Sequence, residues 1–303
     1  ITNVHPSKRG MGIVFQNYAL FENMTVLQNV EYALTHNKEY KSKYTKEEAR
    51  NIALKTLKDV GLEEHINKKP VALSGGQQQR VAIARTLAMN PEIILFDEPM
   101  SALDVETRLS LRQEIKDIQK RYGTSMFYIT HDQEEAFAMS DRIMVMNNGN
   151  IQQIGSPTDI YNEPVNTFVA NFIGESNIID GMMVDDYKVV FEGRRFDCVD
   201  YGFNKNEIVD VVIRPEDLDI VPRGEGKLKG VVKSVLFKGV HYETMVETKV
   251  GTEITVKMAV SNDRPVYNEA ANEKISANDF YLDMDDVAEL DEATIIARAD
   301  AQA

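Results

Sequence analysis

The sequence has a single cysteine, no long apolar run and a deficit of positive charge, and each shortage excludes a class of protein. Cys198 alone cannot form an internal disulfide, and no group of residues resembles a Cys/His zinc cluster. No stretch approaches the roughly 18 consecutive apolar residues that a membrane-spanning helix needs, and no charged-then-apolar leader opens the chain. We therefore expect a soluble, unexported protein in a reducing cytoplasm.

The charge is acidic and unevenly spread along the chain. Asp and Glu number 48 against 34 Lys and Arg, which gives a net charge of −14. Such a surface repels phosphate backbones, so we do not expect nucleic acid as a partner. Residues 1–173 carry a net charge of −2 and residues 174–303 a net charge of −12. The two parts therefore differ in kind.

Apolar periodicity predicts the architecture of the first part. Two amphipathic helices are indicated, one from residue 45 to Gly61 and one from Asp104 to Gly123. The apolar runs 93–96 and 126–129 predict strands buried on both faces of a helix-covered sheet. With 303 residues, the chain exceeds what one hydrophobic core usually organises. Two domains are therefore expected.

The first part ends with a hairpin over 143–154, a short helix opened by Ser156 and a helical stretch ending at Gly174. Beyond Gly174 the pattern changes, and short alternating segments predict a small β-barrel or sandwich. The last 21 residues hold seven acids and one Arg. The predicted limits are residues 1–173, a β-rich domain over 174–282 and an acidic tail over 283–303.

Candidate chemistry follows the two predicted strands. Asp97 and Glu98 follow the first strand, where doubly wound sheets bind ligands. There Asp97 could hold Mg²⁺ through water and Glu98 could polarise an attacking water. The alternative is a pair of acids that cap the next element. His131 follows the second strand; its ring could contact a γ-phosphate, although a lone histidine is more often structural.

Two further features precede these. The segment LSGGQQQR, residues 73–80, opens a helix with Ser74 and two glycines, and such a helix N-terminus can hold a phosphate. Taken alone it is more often an ordinary loop. Gln16 follows an apolar run over 13–15, which by itself indicates little.

Taken in order, VFQ, LSGGQQQR, ILFDEP, SALD and ITHDQEEA resemble the nucleotide-binding subunits of ATP-binding cassette (ABC) transporters, over essentially the whole chain. The resemblance implies an α/β, P-loop NTPase-type ABC domain, N-terminally truncated, followed by a small all-β, OB-like regulatory domain of the TOBE type. It also implies ATPase activity in the complete protein.

The resemblance assigns roles to residues of this sequence. Glu98 would be the general base, His131 the switch histidine and Gln16 the Q-loop glutamine. Asp97 would be the Walker B aspartate, holding Mg²⁺ with Gln16 largely through water, and Asp104 would lie at the dimer interface. The residues that would contact ATP bound by the opposite subunit are Ser74, Gly75, Gly76 and Gln77.

The resemblance also implies cofactors and partners. These are ATP and Mg²⁺, a head-to-tail homodimer, two integral membrane permease subunits and, indirectly, an extracytoplasmic solute-binding protein, with no nucleic acid. The subunit would lie at the cytoplasmic face of the membrane, held there by the permeases.

The sequence departs from the family pattern in one respect, because no G-x-x-x-x-G-K-[ST] occurs in its 303 residues. Either the subunit is degenerate or the sequence is a fragment. The fragment is favoured, since Ile1 is no initiator and the remaining motifs are intact. We therefore expect this chain alone not to bind or hydrolyse ATP appreciably.

Several segments bear on the cargo. VVIRPEDLDIV, residues 211–221, resembles the β-domain of importers for sugars, polyamines, ferric iron and oxyanions. LSGGQQQRVAIAR, MSDRIMVM, FVANFIGESNI and VLFKGVHYE most resemble spermidine/putrescine uptake ATPases, whereas SKRGMGIVFQ resembles the sugar importers. Polyamine import is predicted, with the other cargoes as alternatives. From a different class, a nucleotide-free regulatory module or a soluble ABC ATPase of ribosome or DNA processes remains open.

Overall fold

A computed structural model describes most of the chain, namely residues 3–5, 8–37, 40, 42–101, 103–221, 226–259, 280–283 and 294–297. The chain divides into two compact units, residues 1–140 and residues 141–303. The predicted domain limits at 173/174 and 282/283 stay predictions. Among the described residues, no helix is both long and apolar enough to cross a membrane.

A three-stranded parallel sheet forms the centre of the first unit. Its strands lie in the order β1 (Met11–Val14), β2 (Ile93–Asp97) and β3 (Ser125–Ile129). All three strands run the same way, so their carboxyl ends meet at one edge of the sheet. The residues that follow the strands emerge at this edge.

Among the described residues of this unit, five α-helices accompany the sheet, and each is capped at its start by a side chain. They are α1 (Val26–His36), α2 (Lys46–Asp59), α3 (Gly75–Leu87), α4 (Val105–Tyr122) and α5 (Gln133–Met139), with the caps Thr25, Thr45, Ser74, Asp104 and Asp132. The predicted helices α2 and α4 are confirmed. Gly61 and Gly123 follow them with φ of +70° and +63°, the left-handed conformation that glycine adopts at little cost.

The sheet buries one face only. Val14, Ile94 and Phe96 are at most 1% exposed, whereas Phe127 and Ile129 on β3 are 53% and 55% exposed. The prediction of strands buried on both faces was therefore wrong. A continuous apolar run indicates a strand, but it does not determine which of its faces another element covers.

The second unit opens with the predicted hairpin and helices. Strands β4 (Ile143–Asn147) and β5 (Asn150–Gly155) pair antiparallel, and α6 (Pro157–Asn162) and α7 (Thr167–Ile173) follow. Asn148 and Gly149 have φ of +47° and +78°, the positive values that a two-residue type I′ turn requires.

In the described residues after α7, two five-stranded sheets with antiparallel neighbours follow, and they confirm the predicted β-rich C-terminal part. The first has the order β15-β9-β6-β7-β8 and the second β10-β14-β11-β12-β13. Their strands are β6 (Asn177–Asp185), β7 (Lys188–Phe191), β8 (Arg194–Asp197), β9 (Glu207–Ile213), β10 (Asp219–Val221), β11 (Leu228–Phe237), β12 (His241–Thr248), β13 (Glu253–Ala259), β14 (Phe280–Asp283) and β15 (Thr294–Ala297).

One of these strands lies in the segment predicted as an acidic tail. Strand β15 pairs antiparallel with β9, and Ile295 lies opposite Val211. Residues 284–293 and 298–303 of the predicted tail lie outside the described residues.

Candidate active site

Three side chains from the three strand ends meet at the carboxyl edge of the parallel sheet. The carboxylate of Glu98 accepts a hydrogen bond from Gln16 Nε2, with 3.3 Å between Nε2 and Oε2. Nδ1 of His131 lies 3.2 Å from the other oxygen, Oε1. The sequence analysis placed Glu98 and His131 after two neighbouring strands, and the structure brings Glu98 into contact with both His131 and Gln16.

The backbone at Glu98 is unusual for a residue that is not glycine. Its φ is +43°, in the left-handed region, and its N–H donates to the carbonyl of Ile129 at 3.0 Å. Such a conformation costs about 1–3 kcal/mol and persists where the surrounding structure enforces it. Here the bond to β3 holds Glu98 beside the end of the neighbouring strand.

Ser101 completes this cluster, and the sequence analysis missed it. Its Oγ accepts from Gln16 Nε2 at 3.0 Å and donates to the carbonyl of Glu98 at 3.0 Å. Ser101 thus fixes both the amide of Gln16 and the turn at Glu98. A serine three residues after Glu98 carried no distinctive signal, because the contact with Gln16 spans 85 positions.

The cluster is open to water and offers oxygen ligands. The side chain of His131 is 75% exposed and that of Glu98 33% exposed, and the neighbouring Asp97 is exposed at the end of β2. A carboxylate in this position can accept a proton from a bound water. The oxygens of Asp97 and Gln16 are of the kind that Mg²⁺ prefers, so this donor set fits the predicted cation.

The predicted phosphate-binding segment begins helix α3, as expected. Ser74 Oγ accepts from the backbone N–H of Gln77 at 3.4 Å, and Gln77 Oε1 accepts from the N–H of Ser74 at 3.0 Å. Gln77 Nε2 lies 3.0 Å from His65 Nε2. This capping box orders the helix start, and the side chain of Gln77 is engaged in it.

The helix start lies against the segment that carries Asp104. A Cβ added to Gly76 would come within 2.8 Å of Thr107 Cγ2, so only glycine permits this approach. Asp104 caps α4 by accepting from the N–H of Thr107 at 2.9 Å and from its hydroxyl at 2.7 Å. These two hydrogen bonds lower the pKa of Asp104.

The predicted site residues therefore form two groups. Gln16, Asp97, Glu98 and His131 lie at the sheet edge, and residues 74–77 lie with Asp104 at the starts of α3 and α4. In the part of the chain that the structure describes, no hydrogen bond joins the two groups. The resemblance assigns residues 74–77 to the ATP bound by the opposite subunit and Asp104 to the dimer interface, and neither assignment requires contact with the first group within one chain.

Helix α3 also fixes the loop after Gln16. Arg85 donates to the carbonyls of Tyr18 and Ala19 at 2.9 and 2.6 Å. Both residues have positive φ, +61° and +47°. Burial lowers the pKa of Arg85. The loop that follows Gln16 is thus tied to the helix that begins at the LSGGQ segment.

Comparison with known families agrees with this fold. Residues 2–101 match the model of the ABC transporter family, and residues 211–272 match that of the TOBE domain. The chain belongs to the ATP-binding cassette transporter family, with the ATPase class of fold and a TOBE domain after it. The membership and the fold class predicted from the motifs are confirmed.

Individual relatives are similar over most of the chain. The spermidine/putrescine import ATP-binding protein PotA of Desulfitobacterium hafniense (strain Y51) is 53% identical over 249 residues, which are 82% of this chain and 70% of that protein. The protein of the same name from Clostridium novyi (strain NT) is 50% identical over 247 residues, with the same coverage of 82% and 70%.

A solved structure was also matched. It is cbiO1 from Clostridium perfringens, described as part of the ABC transporter complex cbiONQ. It is 31% identical with a TM-score of 0.46, and the match covers 50% of this chain and 59% of that one.

Proposed function

We propose that this chain is the ATP-hydrolysing subunit of an importer for spermidine and putrescine. The observation that carries the cargo is the identity of 53% and 50% to two ATP-binding proteins named for spermidine/putrescine import. The site geometry cannot carry it, because the resemblance implies that the ATPase subunit does not touch the cargo. Sugars, ferric iron and oxyanions are the competing cargoes.

In this proposal, Glu98 is the general base of hydrolysis. Its carboxylate takes the proton of the attacking water, and the amide of Gln16 and the ring of His131 orient that carboxylate from its two sides. His131 also faces the γ-phosphate. The support for these roles is the contact of the three side chains at a solvent-open sheet edge.

Mg²⁺ and ATP complete the chemistry of this site. Asp97 and Gln16 would hold the cation largely through water, in keeping with their exposed oxygen donors. When bound, Mg²⁺ neutralises charge on the phosphates of ATP. The phosphate contacts from the opposite subunit come from Ser74, Gly75, Gly76 and Gln77 at the start of α3.

The subunit is proposed to work as a head-to-tail homodimer. Asp104 lies at the interface, beside the segment that contacts the partner's ATP. The dimer acts on two membrane permease subunits at the cytoplasmic face of the membrane, and an extracytoplasmic solute-binding protein delivers the cargo. The adjacency of Gly76 to Thr107 supports placing both segments on one surface.

A substitution of Glu98 tests the hydrolytic role. In a full-length ATPase that includes a Walker A segment, we expect Glu98→Gln to lower kcat by at least about 100-fold, since it removes the proton acceptor. ATP binding should persist, because the carboxylate acts on water. Glu64→Gln, the same change at an exposed position, is the control. Turnover close to that of the unchanged protein would remove Glu98 from this role.

Uptake measurements test the cargo separately. In a strain lacking the complete gene, we expect the restored gene to rescue uptake of radiolabelled spermidine and putrescine, and the Glu98→Gln gene to fail. Rescue of sugar uptake without polyamine uptake would reject the proposed cargo and leave the ATPase role intact.

A further inference from the structure

A buried carboxylate, Glu135 on α5, lies beside the loop that carries His131. Glu135 is only 4% exposed. It accepts hydrogen bonds from the hydroxyls of Tyr128 and Thr130, at 3.2 and 3.0 Å. A buried charge of this kind is costly unless it is paired. Two arginines of α4 supply the pairing.

Those arginines differ in what else they contact. Arg108 Nε lies 3.6 Å and Arg112 Nη2 lies 3.9 Å from Glu135 Oε1. Arg108 also reaches Asp132 Oδ2 through Nη1, at 3.3 Å, and donates from Nη2 to the carbonyl of Leu103 at 3.2 Å. One guanidinium thus contacts both Asp132 and Leu103.

Each of these contacts is next to a site residue. Asp132 follows His131, and Leu103 precedes Asp104. Glu135 contacts Thr130 at one end of the loop 130–132, and Arg108 contacts Asp132 at the other end. Within the loop, the N–H of Asp132 donates to Thr130 Oγ1 at 3.0 Å. The ring of His131 is 75% exposed. Packing therefore constrains the ring little, and the backbone of this loop sets its place.

The other charged groups near this loop do not provide the same link. Glu98 contacts His131 directly but belongs to the turn after β2. Glu114 on α4 pairs with Arg80 of α3 instead. Among the described residues, Arg108 is the cation that donates hydrogen bonds both to the 130–132 loop and to the residue before Asp104.

We propose that Arg108 is a positioning residue that ties the loop carrying His131 to the segment carrying Asp104, so that the two move together. The inference rests on the proposed function, in which Asp104 lies at the dimer interface and His131 faces the γ-phosphate. A displacement at the dimer interface then reaches His131 through one guanidinium. Arg112 shares the contact with Glu135 and lacks both of the others.

Nuclear magnetic resonance on this 303-residue chain tests the link without nucleotide. The chain has five histidines, so the ring resonance of His131 can be assigned by its loss in His131→Gln. We expect Arg108→Met to move the His131 ring resonance and Arg112→Met to leave it in place. An unmoved resonance in Arg108→Met, or equal movement in both variants, would overturn the proposal.

A second variant guards against loss of the fold. If Arg108→Met does not fold, Arg108→Lys is measured in the same way, because a single ammonium keeps the charge but cannot span the three contacts. We expect the His131 resonance to move in this variant relative to the unchanged chain. No movement in a folded Arg108→Lys would again overturn the proposal.

Turnover provides the functional readout. In the full-length ATPase, we expect Arg108→Met to lower kcat about 10-fold to 100-fold through misplacement of His131, with KM for ATP within about twofold because no phosphate contact is removed. Arg112→Met should have the same kcat as the unsubstituted ATPase. Failure of Glu98→Gln to reduce turnover would remove Glu98 from its proposed role, whereas the resonance of His131 decides the positioning role independently.

Discussion

The second unit is held together in part by one buried arginine, and its removal should have a measurable cost. Arg214 is 3% exposed. Its Nη1 donates to the carbonyls of Ala170, Gly174 and Glu175 at 3.0, 3.2 and 3.3 Å, and its Nη2 donates to the carbonyl of Tyr161 at 2.9 Å. The residue after β9 therefore fastens α6 and α7 to the β-rich part of the same unit.

The magnitude can be estimated for Arg214→Met, which keeps most of the side-chain volume. Hydrogen bonds to charged groups contribute about 1.5–3 kcal/mol each, but the bonds of one guanidinium are not additive. The guanidinium also lies 4.2 Å from the ring centre of Tyr161, a contact that adds about 1–2 kcal/mol when shielded from water. Burial opposes these gains and lowers the pKa of Arg214. We expect Arg214→Met to lower the free energy of unfolding by about 3–4 kcal/mol.

Calorimetry and hydrogen exchange measure this loss. A cost of this size lowers Tm by about 6–16 °C in a unit of roughly 150–250 residues, and amide exchange over residues 157–176 should accelerate. Arg195→Met, at an exposed position in the same unit, is the matched control. Arg214→Lys should lie between the two, since an ammonium cannot reach every carbonyl. If Arg214→Met lowered Tm no more than Arg195→Met does, the stabilising role of the buried guanidinium would be refuted.

Two further predictions concern local packing and pH. A Cβ at Gly12 would lie 2.2 Å from Thr86 Cγ2, so Gly12→Ala should lower the free energy of unfolding by about 1–3 kcal/mol in urea titrations. Adding Thr86→Ser, which removes that methyl and keeps the hydroxyl, should restore most of it; an equally unstable double variant would contradict the packing argument. Hydrogen bonds from Ser156, side chain and backbone, lower the pKa of Asp159, so its stabilising effect is present above the ordinary carboxyl pKa and is lost as pH falls through the native value. Ser156→Ala should raise the pKa of Asp159 in a carbon-detected resonance titration, and an unchanged value would exclude the Ser156 hydroxyl as a cause.

Local signals predicted much of the secondary structure correctly. The caps Thr45, Asp104 and Ser156 act within three residues of themselves, so their effect is written in adjacent sequence. One helix of the first unit, α1, was missed, although Thr25 and Gln28 form the same capping box. The spacing of its apolar residues did not distinguish this helix from the loop before it.

Glu135 shows where local reasoning stops. The run Asp132-Gln133-Glu134-Glu135 has the spacing of a capping box, and the N–H of Glu135 does donate to Asp132 Oδ1 at 3.1 Å. The carboxylate of Glu135 does not return to Asp132; it is buried with Tyr128, Thr130 and Arg108. The burial depends on α4 packing nearby, which no spacing within α5 reveals.

The sequence by itself determined the family, the order of the motifs and the elements that carry them, because these depend on residue identity and on contacts a few positions apart. Only the tertiary structure decided that Gln16 reaches Glu98 across 82 positions and that His131 reaches it across 33. It also decided the role of Ser101 and the exposed face of the parallel sheet. Contacts between distant residues depend on how the strands are ordered and on which faces are covered, and both are properties of the folded chain.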